Sequence, residues 1–419
     1  MLHRPVGDRV EVGIVKPRGR WPYEEKPLIV FWESTKACLL ACKHCRASAL
    51  TEPEEGELDT RESMRLVDQV VEFGKPYPIF IITGGDPLMR RDFWEILEYA
   101  ISQGLRVAVA PSVTPLLTGE VVRRMARMGV ARISISIDSG VPEVHDAIRG
   151  IPGTFKASLK IIRRALEAGL PVQVNTVVMR PTVETLPRTL KTIIDMGVDV
   201  WEVFYVVPTG RAASLLDLRP HEWEDVTNYL YDASRYGVLV RTVEGPMFRR
   251  IALTRRLLEK LRIPWESKME VGPLYERLIS ETVKLLGEPE GEPMAQTTGT
   301  RDGKGVVFVS NKGDVYPSGF LPLPAGNVRV TSLAKIYRGS RYLILLRKAE
   351  FRGKCGRCEF KDLCGGSRAR AYAYTGDVLG DDPACLYEPG SFSALLDEVG
   401  ASGLSVYELV ERLGRGRIL

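Results

Sequence analysis

The sequence predicts an α/β fold: a parallel sheet of six βα units, followed by a smaller α+β extension. Three observations predict it. Short apolar, β-branched runs alternate with amphipathic helical stretches between residues 28 and 238, the pattern of strands joined by crossover helices. Cysteines, a Gly-Gly turn and isolated polar residues fall at the C-terminal ends of those strands, where parallel barrels carry their function. Beyond residue 300 the pattern changes to a hairpin signature, a helix and a second cysteine group. At 419 residues the chain accommodates a barrel-sized unit and a second one.

Residues 1–27 are polar with several prolines and read as an N-terminal arm. Leu28-Ile29-Val30-Phe31-Trp32 reads as a buried parallel strand that runs directly into the first cysteines. Helices are expected at 59–74, with Asp59 or Thr60 as cap, and at 91–103, 118–128, 154–168, 184–196 and 220–236. Strands are expected at 78–82, 106–110, 132–138, 171–179 and 200–206. Together they make a barrel unit spanning 28–238. Residues 239–300 hold helical stretches at 249–262 and 274–286 and a Gly/Pro/Glu-rich patch, and read as a linker or lid. Residues 301–390 form the extension, in which Asn311-Lys312-Gly313 joins two short strands. Residues 391–419 are left as a C-terminal tail.

The apolar fraction of 44 % and the charged fraction of 26 % are those of an ordinary globular protein. A net charge of +5, with Arg and Lys interleaved with Asp and Glu, gives no nucleic-acid footprint. The N-terminus has no signal-peptide core. The longest apolar runs, such as Ile79-Phe80-Ile81-Ile82, fall far short of a membrane span of about 20 residues. These features predict a cytoplasmic protein.

Seven cysteines carry the chemical signal: Cys38, Cys42 and Cys45 as C-x3-C-x2-C, and Cys355, Cys358, Cys364 and Cys385 as C-x2-C-x5-C-x20-C. Disulfides are disfavoured in a cytosolic chain, and an odd count prevents complete pairing. Buried structural thiols would scatter over many elements rather than cluster. Four cysteines suit zinc or an iron–sulfur cluster, and both stay open for the C-terminal group. The N-terminal group has three ligands where a closed structural zinc site has four. Three thiolates fit a cubane with one iron left to bind an amine and a carboxylate.

Thr83-Gly84-Gly85-Asp86-Pro87 follows the second strand; alone it is a Gly-rich turn of a kind frequent in α/β proteins. Ser136 and Asp138 end the fourth strand, with Ser134 and Ser136 on one face and the isoleucines on the other. Asn175 lies on the fifth. These residues are ligand contacts or merely a polar lining. Pro208-Thr209-Gly210-Arg211 follows the sixth strand, and the Arg211 fork suits a carboxylate or a structural ion pair. His44, inside the cysteine loop, reads as packing. Arg368 and Arg370 could offset thiolate charge or hold an acidic substrate; a solvated basic face is the preferred reading.

C-x3-C-x2-C directly after a strand, with the Gly-Gly turn one βα unit later, resembles the signature of the radical S-adenosylmethionine (SAM) superfamily. The resemblance implies a partial (β/α)6 TIM-like barrel, a [4Fe–4S] cluster on Cys38, Cys42 and Cys45, and SAM at its open iron. It implies that Gly84, Gly85, Asp86 and Pro87 hold the SAM amino group, with Asp86 in place of the usual Glu. Ser136, Asp138, Asn175 and Arg211 would make further SAM contacts. Strand, turn, strand, helix and then cysteines resembles the SPASM/twitch extensions that hold auxiliary clusters. Many SPASM proteins carry a Cys where Ser318 stands and hold two auxiliary clusters. The thiols here imply one, on Cys355, Cys358, Cys364 and Cys385, and so two [4Fe–4S] clusters in all. Phe31-Trp32-Glu33, Tyr316-Pro317-Ser318-Gly319-Phe320-Leu321-Pro322 and the run Cys364-Gly365-Gly366-Ser367-Arg368-Ala369-Arg370-Ala371-Tyr372 resemble the subgroup that acts on iron tetrapyrroles. That likeness extends from about Leu28 to Glu388.

The resemblance implies an enzyme that reductively cleaves SAM to a 5′-deoxyadenosyl radical, which abstracts hydrogen from substrate. The implied substrate is an iron tetrapyrrole, a heme precursor whose propionate or acetate side chains would be removed or oxidised. An electron donor such as ferredoxin or flavodoxin is a further expected partner. One alternative is a peptide-modifying SPASM maturase, lowered because the arm is too short for a leader-binding domain. Another is a non-enzymatic iron–sulfur or zinc scaffold, which would have no use for the Gly-Gly turn.

Overall fold

The computed structural model describes residues 21–212 and 216–414. Most of the expected N-terminal arm, residues 1–20, and the last five residues of the expected tail lie outside the described residues.

The expected alternation is present as β1 (Ile29–Glu33), α1 (Thr60–Val71), β2 (Ile79–Thr83), α2 (Phe93–Ser102), β3 (Val107–Val109), α3 (Gly119–Met128), β4 (Arg132–Ser136), α4 (Pro142–Arg149), α5 (Thr154–Glu167), β5 (Val172–Val178), α6 (Leu186–Asp195), β6 (Val200–Tyr205) and α7 (Pro220–Ala233). Asp59 caps α1 in a capping box, accepting from the Glu62 N–H at 2.7 Å while the Glu62 carboxylate accepts from the Asp59 N–H at 3.0 Å. The chain continues through β7 (Leu239–Val243), α8 (Met247–Lys260), α9 (Pro273–Leu286), β8 (Val306–Val309), β9 (Asp314–Tyr316) and β10 (Gly326–Asn327). The rest is helical: α10 (Leu333–Gly339), α11 (Arg341–Arg347), α12 (Gly353–Arg357), α13 (Arg368–Thr375), α14 (Ser391–Glu398) and α15 (Val406–Gly414).

Among the described residues the ten strands belong to one open sheet, ordered β10-β9-β8-β1-β2-β3-β4-β5-β6-β7. Every pairing from β8 through β1 to β7 is parallel, and the β8–β9–β10 turns are antiparallel. The molecule is therefore α/β with an unclosed barrel sheet, as the sequence predicts. Three features differ from the sequence reading. Val240 and Thr242 turn into the structure on a seventh parallel strand, β7, where a linker was expected. Strand β8 pairs with β1, Ile29 opposite Val306, so the hairpin of the extension continues the barrel sheet. Helix α4, also unexpected, follows β4 immediately and brings His145 and Arg149 back towards its end.

Helices α7, α8 and α9 pack on the β6–β7 edge. From Asp225 to Ala233 every residue of α7 is buried, with Trp223 stacked on Tyr205 of β6 at 4.2 Å between centroids. Full burial of a large apolar side chain contributes about 1.5–3 kcal/mol, so this wall is firmly held. Within it Arg255 forks onto Asp232 at 2.7 and 3.0 Å, and the Tyr275 hydroxyl donates to the same carboxylate at 2.9 Å. Residues 239–300 are thus packed structure rather than a loose linker.

Candidate active site

Strand β1 ends at Glu33, and the chain turns across the top of β2. There the Ser34 N–H donates to the Thr83 carbonyl at 2.8 Å, Gly85 N–H to Thr35 O at 2.7 Å, and Asp86 N–H to Ala37 O at 2.7 Å. The two segments lie so close that a Cβ on Gly84 would strike the Thr35 carbonyl, and one on Gly85 the carbonyls of Lys36 and Ala37. The glycines are required by this approach. The cysteine loop is then closed at its base by Cys38 N–H to Leu50 O (2.7 Å) and Leu50 N–H to Lys36 O (2.9 Å). The Glu57 carboxylate braces it, accepting from the Lys36 N–H at 2.8 Å and the Thr35 hydroxyl at 3.0 Å.

Cys38, Cys42 and Cys45 all line one cavity, and Gly84, Gly85, Ser136, Asp138, Asn175 and Arg211 line it with them. Asp86 and Pro87 are not on its wall. Asp86 is fully buried and accepts from Leu88 N–H (3.2 Å), Ser112 N–H (3.4 Å) and the Thr114 hydroxyl (3.0 Å). It holds the Gly-Gly turn against the loop after β3. Arg211 lines the cavity but is committed to the cysteine loop: its Nε donates to Cys42 O at 3.0 Å and its Nη1 to Ala49 O at 3.1 Å. Gly210, at φ +58°, lies flush on the carbonyls of Cys45 and Arg46.

Sequence reasoning missed Ser112 and Arg149. The Ser112 hydroxyl donates to Gly85 O at 2.8 Å and lies 3.4 Å from Cys38 Sγ. Arg149, delivered by α4, pairs with Asp138 at 2.8 Å and reaches Cys42 Sγ at 3.8 Å. Burial would push the Asp138 carboxyl up, but the Arg149 guanidinium and the neighbouring histidines outweigh it and hold it below the usual carboxylate range. Burial pushes His44 down to about 4 despite Asp138 at 3.7 Å, so the ring is neutral. Among the described residues, His44 Nδ1, Arg149 Nε and Ser158 Oγ, all on this wall, are buried polar atoms without a protein partner. Such atoms cost free energy unless a ligand or water meets them, and a polar cofactor filling the cavity would meet them. The same cavity is also lined by the apolar side chains Phe204, Val206, Val207 and Phe320.

The other four cysteines line a second cavity with Met247, Arg250, Phe360 and Tyr387. Burial pushes Cys358, Cys364 and Cys385 up to about 12, so with nothing bound these thiols stay neutral. A bound metal centre reverses that by supplying positive charge. Arg368 and Arg370 are fully buried here, which corrects the solvated basic face expected for them. Arg370 pairs with Asp382 at 3.3 Å, and Arg250 with Glu224 at 2.8 Å. Charged side chains so deeply buried are rarely legible in sequence.

Residues 32–193 match the family model described as Radical SAM superfamily. The chain is 39 % identical to the AdoMet-dependent heme synthase of Nitratidesulfovibrio vulgaris (strain Hildenborough), over 86 % of this chain and 92 % of that one. It is 36 % identical to the AdoMet-dependent heme synthase of Methanosarcina barkeri (strain Fusaro), over 87 % and 97 %. Its fold is similar to that of native anSMEcpe with bound AdoMet, with a TM-score of 0.61 at 15 % identity, over 93 % of this chain and 99 % of that one. No helix among the described residues is long and apolar enough to cross a membrane.

Proposed function

Because the chain belongs to the radical SAM superfamily, in the family of the AdoMet-dependent heme synthases, we propose that it removes or oxidises propionate or acetate side chains of an iron tetrapyrrole. As a member of that superfamily it is an enzyme that uses a [4Fe–4S] cluster and SAM. When bound, the reduced cluster and SAM together supply a 5′-deoxyadenosyl radical that takes a hydrogen atom from substrate.

This chain's residues divide the remaining work. Cys38, Cys42 and Cys45 hold the cluster, and Ser112 steadies Cys38. Gly84 and Gly85 present backbone to the SAM amino group, while Ser136, Asp138 and Asn175 give the polar wall for the rest of SAM. Asp86 and Arg211 act one step back, on the Gly-Gly turn and the cysteine loop. Phe204, Val206, Val207 and Phe320 offer an apolar lining suited to a flat macrocycle. The observation that carries the reading is that three thiols and the polar ends of β2, β4 and β5 share one cavity with these apolar side chains.

The second cavity holds an auxiliary [4Fe–4S] cluster on Cys355, Cys358, Cys364 and Cys385. A ligand set of four cysteines suits such a cluster, and the chain's membership of the radical SAM superfamily favours it over zinc. Cysteines that serve as cluster ligands rather than disulfide partners suit the reducing cytoplasm, and the reaction requires a one-electron donor such as ferredoxin or flavodoxin.

The test is anaerobic reconstitution, reduction, and incubation with SAM and an iron tetrapyrrole bearing propionates. Mass spectrometry should show a macrocycle whose propionates are removed or oxidised, with 5′-deoxyadenosine formed alongside. SAM cleavage with an untouched macrocycle would sink the substrate assignment. No cleavage, with Cys38, Cys42 and Cys45 loaded with iron, would sink the enzyme reading.

A further inference from the structure

The two cysteine cavities differ in the charge placed against their sulfurs. Thiols of both groups receive backbone N–H donors, Leu40 on Cys38 at 3.4 Å and Ala49 on Cys45 at 3.5 Å in the N-terminal group. Phe360 N–H donates to Cys358 Sγ at 3.4 Å and Gly366 N–H to Cys364 Sγ at 3.5 Å. The donor to Cys355 is a cation: Arg368 Nη2 reaches Cys355 Sγ at 3.4 Å.

Arg368 has 0 % exposure, and its other bonds go to carbonyls: Nε to Gly366 O at 3.3 Å, and Nη1 to Gly380 O at 2.6 Å and Val378 O at 3.2 Å. Among the described residues no carboxylate stands within ion-pair distance of its guanidinium. The neighbouring acids are engaged elsewhere. Asp382 pairs with Arg370, Asp381 accepts from the Cys355 N–H at 2.9 Å, and Asp302 accepts from the backbone N–H groups of Arg368 and Ala369 at 3.1 Å. At the N-terminal group the corresponding guanidinium, Arg149, stands farther from its sulfur, at 3.8 Å, and is neutralised by Asp138 at 2.8 Å.

A buried guanidinium without a counter-ion is costly unless an anion meets it. A cluster carried by four thiolates is such an anion, and it gains a further negative charge on reduction. A cation held against one ligand sulfur favours the reduced form and makes the potential less negative. We infer that Arg368 is a positioning residue that raises the auxiliary cluster's reduction potential by favouring its reduced form. This rests on the reading that Cys355, Cys358, Cys364 and Cys385 carry an iron–sulfur cluster.

The test is a potentiometric titration followed by electron paramagnetic resonance, with iron and zinc analysis at each step. It uses the full chain carrying Cys38, Cys42 and Cys45→Ala, so that the auxiliary signal stands alone, compared with the same chain carrying Arg368→Gln or Arg368→Lys. The expected result is full iron in all three, the most negative midpoint for Arg368→Gln, and an intermediate one for Arg368→Lys. Lysine keeps the charge but cannot hold both the sulfur and the carbonyls. If Arg368→Gln loses its iron, Arg368→Lys decides: a lowered midpoint at full iron supports the assignment. Midpoints that do not move at full iron overturn it and leave the cluster reading intact. Zinc, or no iron, in the chain that retains Arg368 overturns both.

Discussion

Asp138 shows how one buried charge organises several functions. It is fully buried, pairs with Arg149, accepts from the Val177 N–H at 3.1 Å and faces His44. Removing one partner of a buried pair leaves the other uncompensated, at about 3–5 kcal/mol. Asp138→Ala should therefore lower the thermal midpoint of the iron-loaded protein clearly, whereas Arg149→Met combined with Asp138→Ala should recover part of the loss. Equal midpoints for single and double variants would deny the pairing. Glu244 gives a second prediction at this scale. It follows β7 with φ +57°, is buried against Asp302, and accepts from the Ser318 hydroxyl at 3.4 Å and from the Ser367 hydroxyl, with Arg370 nearby. Burial and the adjacent Asp302 push its carboxyl well above the ordinary range. A carboxyl whose folded pKa is raised stabilises the fold below its unfolded pKa, and that stability is lost as pH rises through the folded value. The wild-type thermal midpoint should thus fall as pH rises past the normal carboxylate range. Glu244→Gln should flatten this slope, and parallel slopes in the two proteins would refute it.

The cysteine loop and the Gly-Gly turn form the element on which the chemistry depends, and they were the most legible part of the sequence. Their signal is local, a spacing of thiols and a pair of glycines at strand ends, so it survives without knowledge of the packing. Gly210 was legible only as part of a turn. Its need is tertiary, because its α-carbon rests against carbonyls of a loop more than 160 residues earlier. Gly210→Ala combines a strained φ with that collision and should push the cysteine loop out of place. The expected outcome is loss of the N-terminal cluster with retention of the auxiliary one, so that iron falls from about eight to about four per chain. Iron near eight with normal SAM cleavage would show that the loop can give way. Helix α4 was illegible for a related reason. Its eight residues begin at Pro142 after Ser139-Gly140, which reads as a turn, yet it carries the arginine that meets Asp138 and Cys42.

At the scale of the whole molecule, strand alternation was read correctly because periodicity is local, whereas the relation between barrel and extension was not. Residues 301–390 read as a separate unit because their pattern changes, but no local pattern tells which strand a hairpin will join. In the structure Val306–Val309 of β8 lies along β1, and Arg46 of the cysteine loop ties the two regions together. Its guanidinium pairs with Glu33 at 2.9 Å, stacks over Phe308 at 4.4 Å and reaches Gly319 O at 3.4 Å. Phe320 of the extension completes the wall of the active-site cavity. A chain ending at residue 300 would keep every cysteine and glycine of the SAM site but would bare the backbone edge of β1, whose Val30 and Trp32 are fully buried in the whole protein. Unpaired apolar edges of this kind recruit other chains. Such a truncation should aggregate, or, if kept soluble by a fusion partner, cleave SAM at least tenfold more slowly because Arg46 has lost its seat. A soluble fragment that cleaves SAM at the rate of the full chain would show instead that barrel and extension are independent units joined by a linker. The structure makes the aggregated outcome the expected one, since the strand beside the catalytic loop is an interior strand only while the extension is present.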